Sequence, residues 1–175
     1  QKRCVQYARM GMYAVNLEWL QYGELSGDGN IHYNGAHLDL IGMNGLGIFY
    51  LNMRKGIDIL WEHANVDRAR IGVTGLSGGG WQTITLSSLD ERVAAAMPVA
   101  GYSAMVSKLE RTADMGDHEQ SATDLLAGQE YTHFTAMLAP RPALIAHNAE
   151  DDCCFRAPLV KPHIYDAIVP FYKAY

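Results

Sequence analysis

The stretch RIGVTGLSGGG, residues 70–80, decides how this chain is read. Arg70 to Thr74 has the β-branched, apolar character of a buried strand. It runs directly into Gly75-Leu76-Ser77-Gly78-Gly79, and a helical pattern follows from about Gly80 to Leu89. G-x-S-x-G between a strand and a helix sets the serine on a sharp, strained turn that lifts Oγ clear of the sheet. Residues two before and two after that serine crowd each other and must be small; here both are glycine. The following helix aims its free N–H groups and positive dipole end at the serine. Ser77 is therefore the candidate nucleophile, and the Gly78 N–H the candidate donor to an oxyanion. The plainer reading of the same residues is a Gly-rich turn that packs a helix on a strand.

Outward from this stretch, short apolar runs alternate with amphipathic ones. Residues 1–10 read as helix with Gly11 as its cap. Met12 to Leu17 reads as a buried strand, Tyr22 to Gly35 as loop, and Gly45 to His63 as helix. Val93 to Val99 and Ala143 to His147 read as further strands, and Pro158 to Tyr175 reads as helical, starting near Pro162. Such alternation predicts parallel βαβ units in a three-layer α/β domain, with active-site groups at the carboxyl ends of the strands. No linker divides the chain, so residues 1–175 are expected to form a single domain. Residues 103–133, the least regular stretch, are a candidate lid or pocket rim. The chain has 175 residues, 49% apolar and 19% charged, with a net charge of −5. That composition excludes a disordered chain, and the acidic balance argues against a nucleic-acid partner. No apolar run of about 18 residues predicts a membrane span. The N-terminus has neither an initiator Met nor the layout of a signal peptide, so the natural start is expected elsewhere and the compartment stays open.

A serine needs a base, and the base needs an orienting group. Ala143 to His147 is followed by Asn148-Ala149-Glu150-Asp151-Asp152, and Asp151 is the candidate acid among the three carboxylates. An acidic surface turn is the plainer reading. Residues 70–80 resemble the nucleophile elbow of the α/β-hydrolase superfamily. Residues 117–155 resemble bacterial α/β hydrolases related to acetyl xylan esterases, through GDHEQSATDLL, LAPRPALIAHNAEDDCCF and, just beyond, RAP. The resemblance implies that Asn148 to Asp151 matches a G-x-x-D element delivering the triad acid, with Asn148 in place of glycine. It also implies ester hydrolysis, often deacetylation of carbohydrate, with no cofactor. In that fold the order is Ser, acid, His, and the histidine follows the last strand. His163 is too close behind Asp151, His147 precedes it, and His32, His37 and His63 precede the serine. His118 and His133 lie in the irregular stretch, with His118 a candidate pocket residue. The base is therefore expected outside this chain. The first strands of the superfamily sheet and its last strand are expected to be absent too, and another segment of the same protein is expected to complete the fold.

Trp19, at the end of the first predicted strand, is a candidate pocket wall, and Trp81 is expected in the core. Ser26 to Asn30 superficially resembles a calcium loop but lacks the other liganding positions, so it reads as a turn. Seven histidines show no metal-binding spacing, and no metal site is expected. Cys153 and Cys154 are adjacent and are expected to pack rather than bridge. Two neighbouring readings share the elbow. One is a serine peptidase of the prolyl-oligopeptidase type; the other is a non-catalytic binding protein that keeps the fold.

Overall fold

Two parallel strands, β1 (Gly72–Leu76) and β2 (Ala95–Val99), form the centre, paired from Gly72 opposite Ala95 to Leu76 opposite Val99. The computed structural model describes residues 2–111, 117–125 and 127–175. Residues 142–146 add a third parallel segment along the other edge of β2. Ala96 N–H donates to Pro142 O, Leu144 N–H to Ala96 O, Ala146 N–H to Pro98 O and Ala100 N–H to Ala146 O, at 2.8–3.1 Å. The expected strand from Ala143 to His147 is thus reduced to bridges at Ala96–Ala143 and Val99–Ala146. The cause is Pro98, which has no N–H for the rung that should reach Leu144 O.

Helix α3 (Gly78–Leu89) packs on both strands, and α2 (Gly45–Glu62) and α5 (Tyr131–Ala136) flank it. Buried from several sides, α3 hides Trp81, Ile84, Thr83 and Thr85 completely. On α2, Phe49, Met53 and Ile57 recur every four residues and are all buried, the stripe expected of a helix facing a core. Asn44 caps α2 by accepting from Gly47 N–H at 2.9 Å. Helix α1 (Lys2–Arg9) ends as expected at Gly11: Gly11 N–H donates to Ala8 O and Met12 N–H to Tyr7 O, with Gly11 at φ 81. Of residues 103–133, α4 (Met105–Glu110) and part of α5 are described, while 112–116 and 126 lie outside the described residues.

The last helix begins at Ala157, earlier than expected, because Pro158 suits a first helical turn whose N–H groups lack partners anyway. It runs as α6 (Ala157–Val160), a widened π-type turn (Lys161–Tyr165) and α7 (Asp166–Lys173). The widening coincides with Pro162, which cannot donate back to the preceding turn. Met12 to Leu17 forms no strand. An apolar run becomes a strand only beside a ladder partner, and none faces it among the described residues. Instead a groove of about 850 Å³ lies between Tyr7, Met12 and Tyr13 on one side and Val73, Ala95 and Leu144 on the other. No helix among the described residues is long and apolar enough to cross a membrane.

Buried polar groups lock α3 to α5. Trp81 Nε1–H donates to Tyr131 Oη at 2.7 Å, and the Tyr131 hydroxyl donates to Gln120 O at 2.7 Å. Both aromatic side chains are completely buried. Tyr131→Phe would leave an indole donor and a carbonyl unpaired, at about 1–3 kcal/mol for each group. We expect denaturant unfolding to show a loss of about 2–6 kcal/mol for the two groups together; a variant as stable as the wild type would contradict this role.

Candidate active site

Ser77 stands at the carboxyl end of β1 with φ 56 and ψ −122, a conformation rarely held by a residue with a side chain. It is exposed, and its side chain caps nothing on α3, which leaves the hydroxyl free of the helix it opens. The surrounding backbone holds the turn: Ser77 N–H donates to Val99 O at 2.9 Å, and Ser77 O accepts from Gly80 and Trp81 N–H at 2.7 and 3.0 Å. No larger residue fits around it. A Cβ on Gly75 would stand 2.3 Å from Gly79 O, and one on Gly101 would stand 2.2 Å from Trp81 N. The crowding expected across the turn is therefore present at Gly75 but not at Gly79, where a Cβ would point into open space.

Gly78 opens α3, and a Cβ there would stand 2.7 Å from the Trp19 ring. Trp19, half-buried, also packs on Phe49 and Trp81 with ring centroids 5.0 and 5.9 Å apart. The structure thus brings Ser77, Gly78 and Trp19 together at one sheet end. Trp81 itself is completely buried, as expected.

Asp151 lies in the turn after the third segment, on the same carboxyl-end side of the sheet. Its Oδ1 accepts from Cys153 and Cys154 N–H at 2.9 and 3.1 Å. Burial pushes its pKa up, but these donors, with the Asn148 amide and His147 nearby, hold it below the usual carboxylate value. The same turn corrects the expectation for the cysteines. With both N–H groups drawn to one carboxylate oxygen, the two side chains fall together, and Cys153 and Cys154 form a disulfide.

His147 is fully occupied. Its Nε2 lies 2.8 Å from Tyr102 O and its Nδ1 2.9 Å from Tyr165 Oη. A neutral ring with Nε2–H donating to the carbonyl and Nδ1 accepting the phenol satisfies both contacts. Burial lowers its pKa, against the opposing pull of Tyr102 O and Asp151. Of the other histidines weighed above, His163 sits in the π-type turn, where its carbonyl accepts from Thr132 Oγ1 at 2.7 Å.

A second cluster escaped the sequence reading. His32, from a 3₁₀ segment (His32–Ile41), meets His118 and Glu119, with His32 Nε2 3.2 Å from Glu119 Oε2 and 3.5 Å from Asp117 Oδ2. Glu119 is completely buried, and burial, reinforced by Asp117, pushes its pKa up to about 7. Burial, then His32, lowers that of His118. The separation of 86 residues between His32 and His118 hides the group from any spacing rule, and only His118 stood out, as a candidate pocket residue.

A serine on a strained strand-to-helix turn at the carboxyl end of a parallel sheet defines an α/β-hydrolase domain. Residues 47–136, just over half the chain and including that turn, match the family model for acetyl xylan esterase (AXE1). The chain belongs to this family. The methylesterase BT1017 is 30% identical, with a TM-score of 0.56, over 74% of this chain and 28% of its own length. A Bacteroides fragilis protein assigned to the acetyl xylan esterases is 20% identical, with a TM-score of 0.70, over 98% of this chain and 47% of its own. A glucuronoyl esterase from Sporotrichum thermophile is 20% identical, with a TM-score of 0.61, over 89% and 49%. The last two likenesses are of fold. The chain spans less than half the length of each of these three proteins. No curated protein sequence matches it.

Because the folded state lowers the pKa of His147, the native protein takes up that proton less readily than the unfolded chain does. Its contribution to stability is present above the ordinary histidine value of 6.5 and is lost as pH falls below it. Thermal melts of wild type and His147→Gln should therefore diverge in slope between about pH 5 and 7. Parallel curves would contradict this.

Proposed function

We propose that this domain carries the nucleophile of a serine-dependent carboxylic-ester hydrolase acting on an acetylated carbohydrate or another small ester. One observation carries the reading: the non-glycine residue Ser77 is held at φ 56, ψ −122, between β1 and α3, by glycines that admit no side chain. Strain of this kind, of order 1–3 kcal/mol, persists where the surroundings over-determine it and function uses it. The family membership supports the ester as the bond cleaved.

In this reading Ser77 Oγ attacks the acyl carbonyl and a histidine takes its proton. That base comes from outside the residues discussed above, since His147 is bound on both ring nitrogens. Asp151, held ionised by its backbone donors, orients the base. The Gly78 N–H, at the positive end of α3, faces the oxyanion, and Trp19 walls the acyl or sugar pocket beside it. Proton return releases the alcohol, and water then resolves the acyl-enzyme. No cofactor takes part. The 850 Å³ groove beside β1 would receive another segment of the same protein that completes the sheet.

The complete gene product should hydrolyse p-nitrophenyl acetate and release acetate from acetylated xylan, with Ser77→Ala lowering kcat by at least about 10³-fold. Cleavage of aminoacyl substrates in preference to esters would favour a peptidase. Equal rates for wild type and Ser77→Ala would contradict the proposal.

Separately, Gly75→Ala brings a Cβ to 2.3 Å from Gly79 O. It should destabilise the domain by about 1–3 kcal/mol or more, measured by thermal unfolding. An unchanged melting temperature would show that the turn can open without cost.

A further inference from the structure

We propose that His32, His118 and Glu119 form a binding site for one divalent cation of the zinc type. The three side chains each present a ligand atom, all within 4.8 Å of one another. His32 is 4% exposed and Glu119 not at all. Both carboxylate oxygens of Glu119, both ring nitrogens of His32 and Nδ1 of His118 are buried with no hydrogen-bond partner. Buried carboxylate and imidazole groups left this way are costly, and native interiors rarely keep them without a ligand or ordered water.

The geometry suits an ion. Tetrahedral zinc with ligands at about 2.0–2.1 Å sets its donors about 3.3 Å apart. Here Glu119 Oε2 lies 3.2 Å from His32 Nε2 and 3.6 Å from His118 Nε2. Two imidazoles and one carboxylate are a zinc donor set, and a fourth position would fall to water or to Asp117, whose Oδ2 is 3.5 Å from His32 Nε2. The His118 ring is also held for the purpose. Its Nε2, the nitrogen that faces Glu119, also lies 3.0 Å from the His32 carbonyl, which keeps the ring beside His32. The backbones of Gly35 and Gly45 press on the same ring, where a Cβ on either would come within 2.2 Å of it. A small cavity of about 230 Å³, lined by Leu20, Leu25, Gly35 and Phe49, reaches His118 and gives a way in.

Bound there, the ion would tie the 3₁₀ segment carrying His32 to the turn carrying His118 and Glu119. It would also steady Trp19, whose ring centroid is 6.2 Å from that of His32 and which packs on Gly78. The inference does not depend on the hydrolase reading, because its test reads binding alone.

The complete, tag-free protein, stripped of metal by chelator, is titrated with Zn²⁺ by calorimetry and with Co²⁺ by visible absorption. One equivalent should bind, the Co²⁺ form should show the strong absorption of a low-coordinate, nitrogen-ligated ion, and the melting temperature should rise with free metal. Glu119→Gln and His118→Asn should each weaken binding by at least about tenfold, while Asp67→Asn, at the exposed cap before the 68–70 turn, binds as the wild type does. No saturable binding by the wild type, or undiminished binding by Glu119→Gln, would overturn the proposal. If the variants do not fold, the wild-type Co²⁺ spectrum decides, and a weak, hexaaquo-like spectrum overturns it.

Discussion

The close approach of α3 to β1 and β2 is the constraint on which the structure depends. Between Leu76 and Trp81 the chain must leave a strand, reverse and enter a helix that lies back on the same strand. Gly80, where a Cβ would stand 2.6 Å from Val99 O, and Gly101, where it would meet Trp81 N, let the helix start touch the end of β2. Gly75 does the same across the turn, where a Cβ would meet Gly79 O. The positive φ of Ser77 follows from this packing, as does the aim of the α3 N-terminus. One steric condition thus sets both the junction of helix and sheet and the exposure of the hydroxyl.

Because that condition is written in small residues at fixed offsets, it was legible in the sequence. So were α2, through apolar residues at roughly helical spacing, and the cap at Gly11; the stripe that α2 buries, Phe49, Met53 and Ile57, emerged only from the packing. Elements that rely on distant partners were harder to read. Met12 to Leu17 has strand composition, yet without a neighbour to complete its backbone bonds it runs as coil beside the groove. The segment at 142–146 pairs with β2 but misses a rung. The proline responsible, Pro98, stood in plain view within VAAAMPV. The helical stretch from Pro158 was legible too, and its regular turns begin at Ala157 rather than near Pro162 because Pro158 suits a first helical turn.

The chemistry divides in the same way. Ser77, Gly78 and Asp151 could be put forward as candidates because each sits at a fixed distance along the chain from a strand end. Trp19 lies against Gly78 through tertiary packing, and its place was suggested only by where the first predicted strand ended. The cluster of His32, His118 and Glu119 arises from contacts across 86 residues, and no local pattern encodes it. Likewise the disulfide between Cys153 and Cys154 follows from a turn gathered around one carboxylate oxygen.

The central claim is that Ser77 is a nucleophile presented by its turn. A fluorophosphonate reacts with an activated serine and not with an ordinary one, so the direct measurement is mass spectrometry of the labelled complete protein. The account predicts one adduct, on the peptide bearing Ser77, blocked by prior incubation with an ester substrate. An unlabelled Ser77 in a protein that is folded and complete would contradict it.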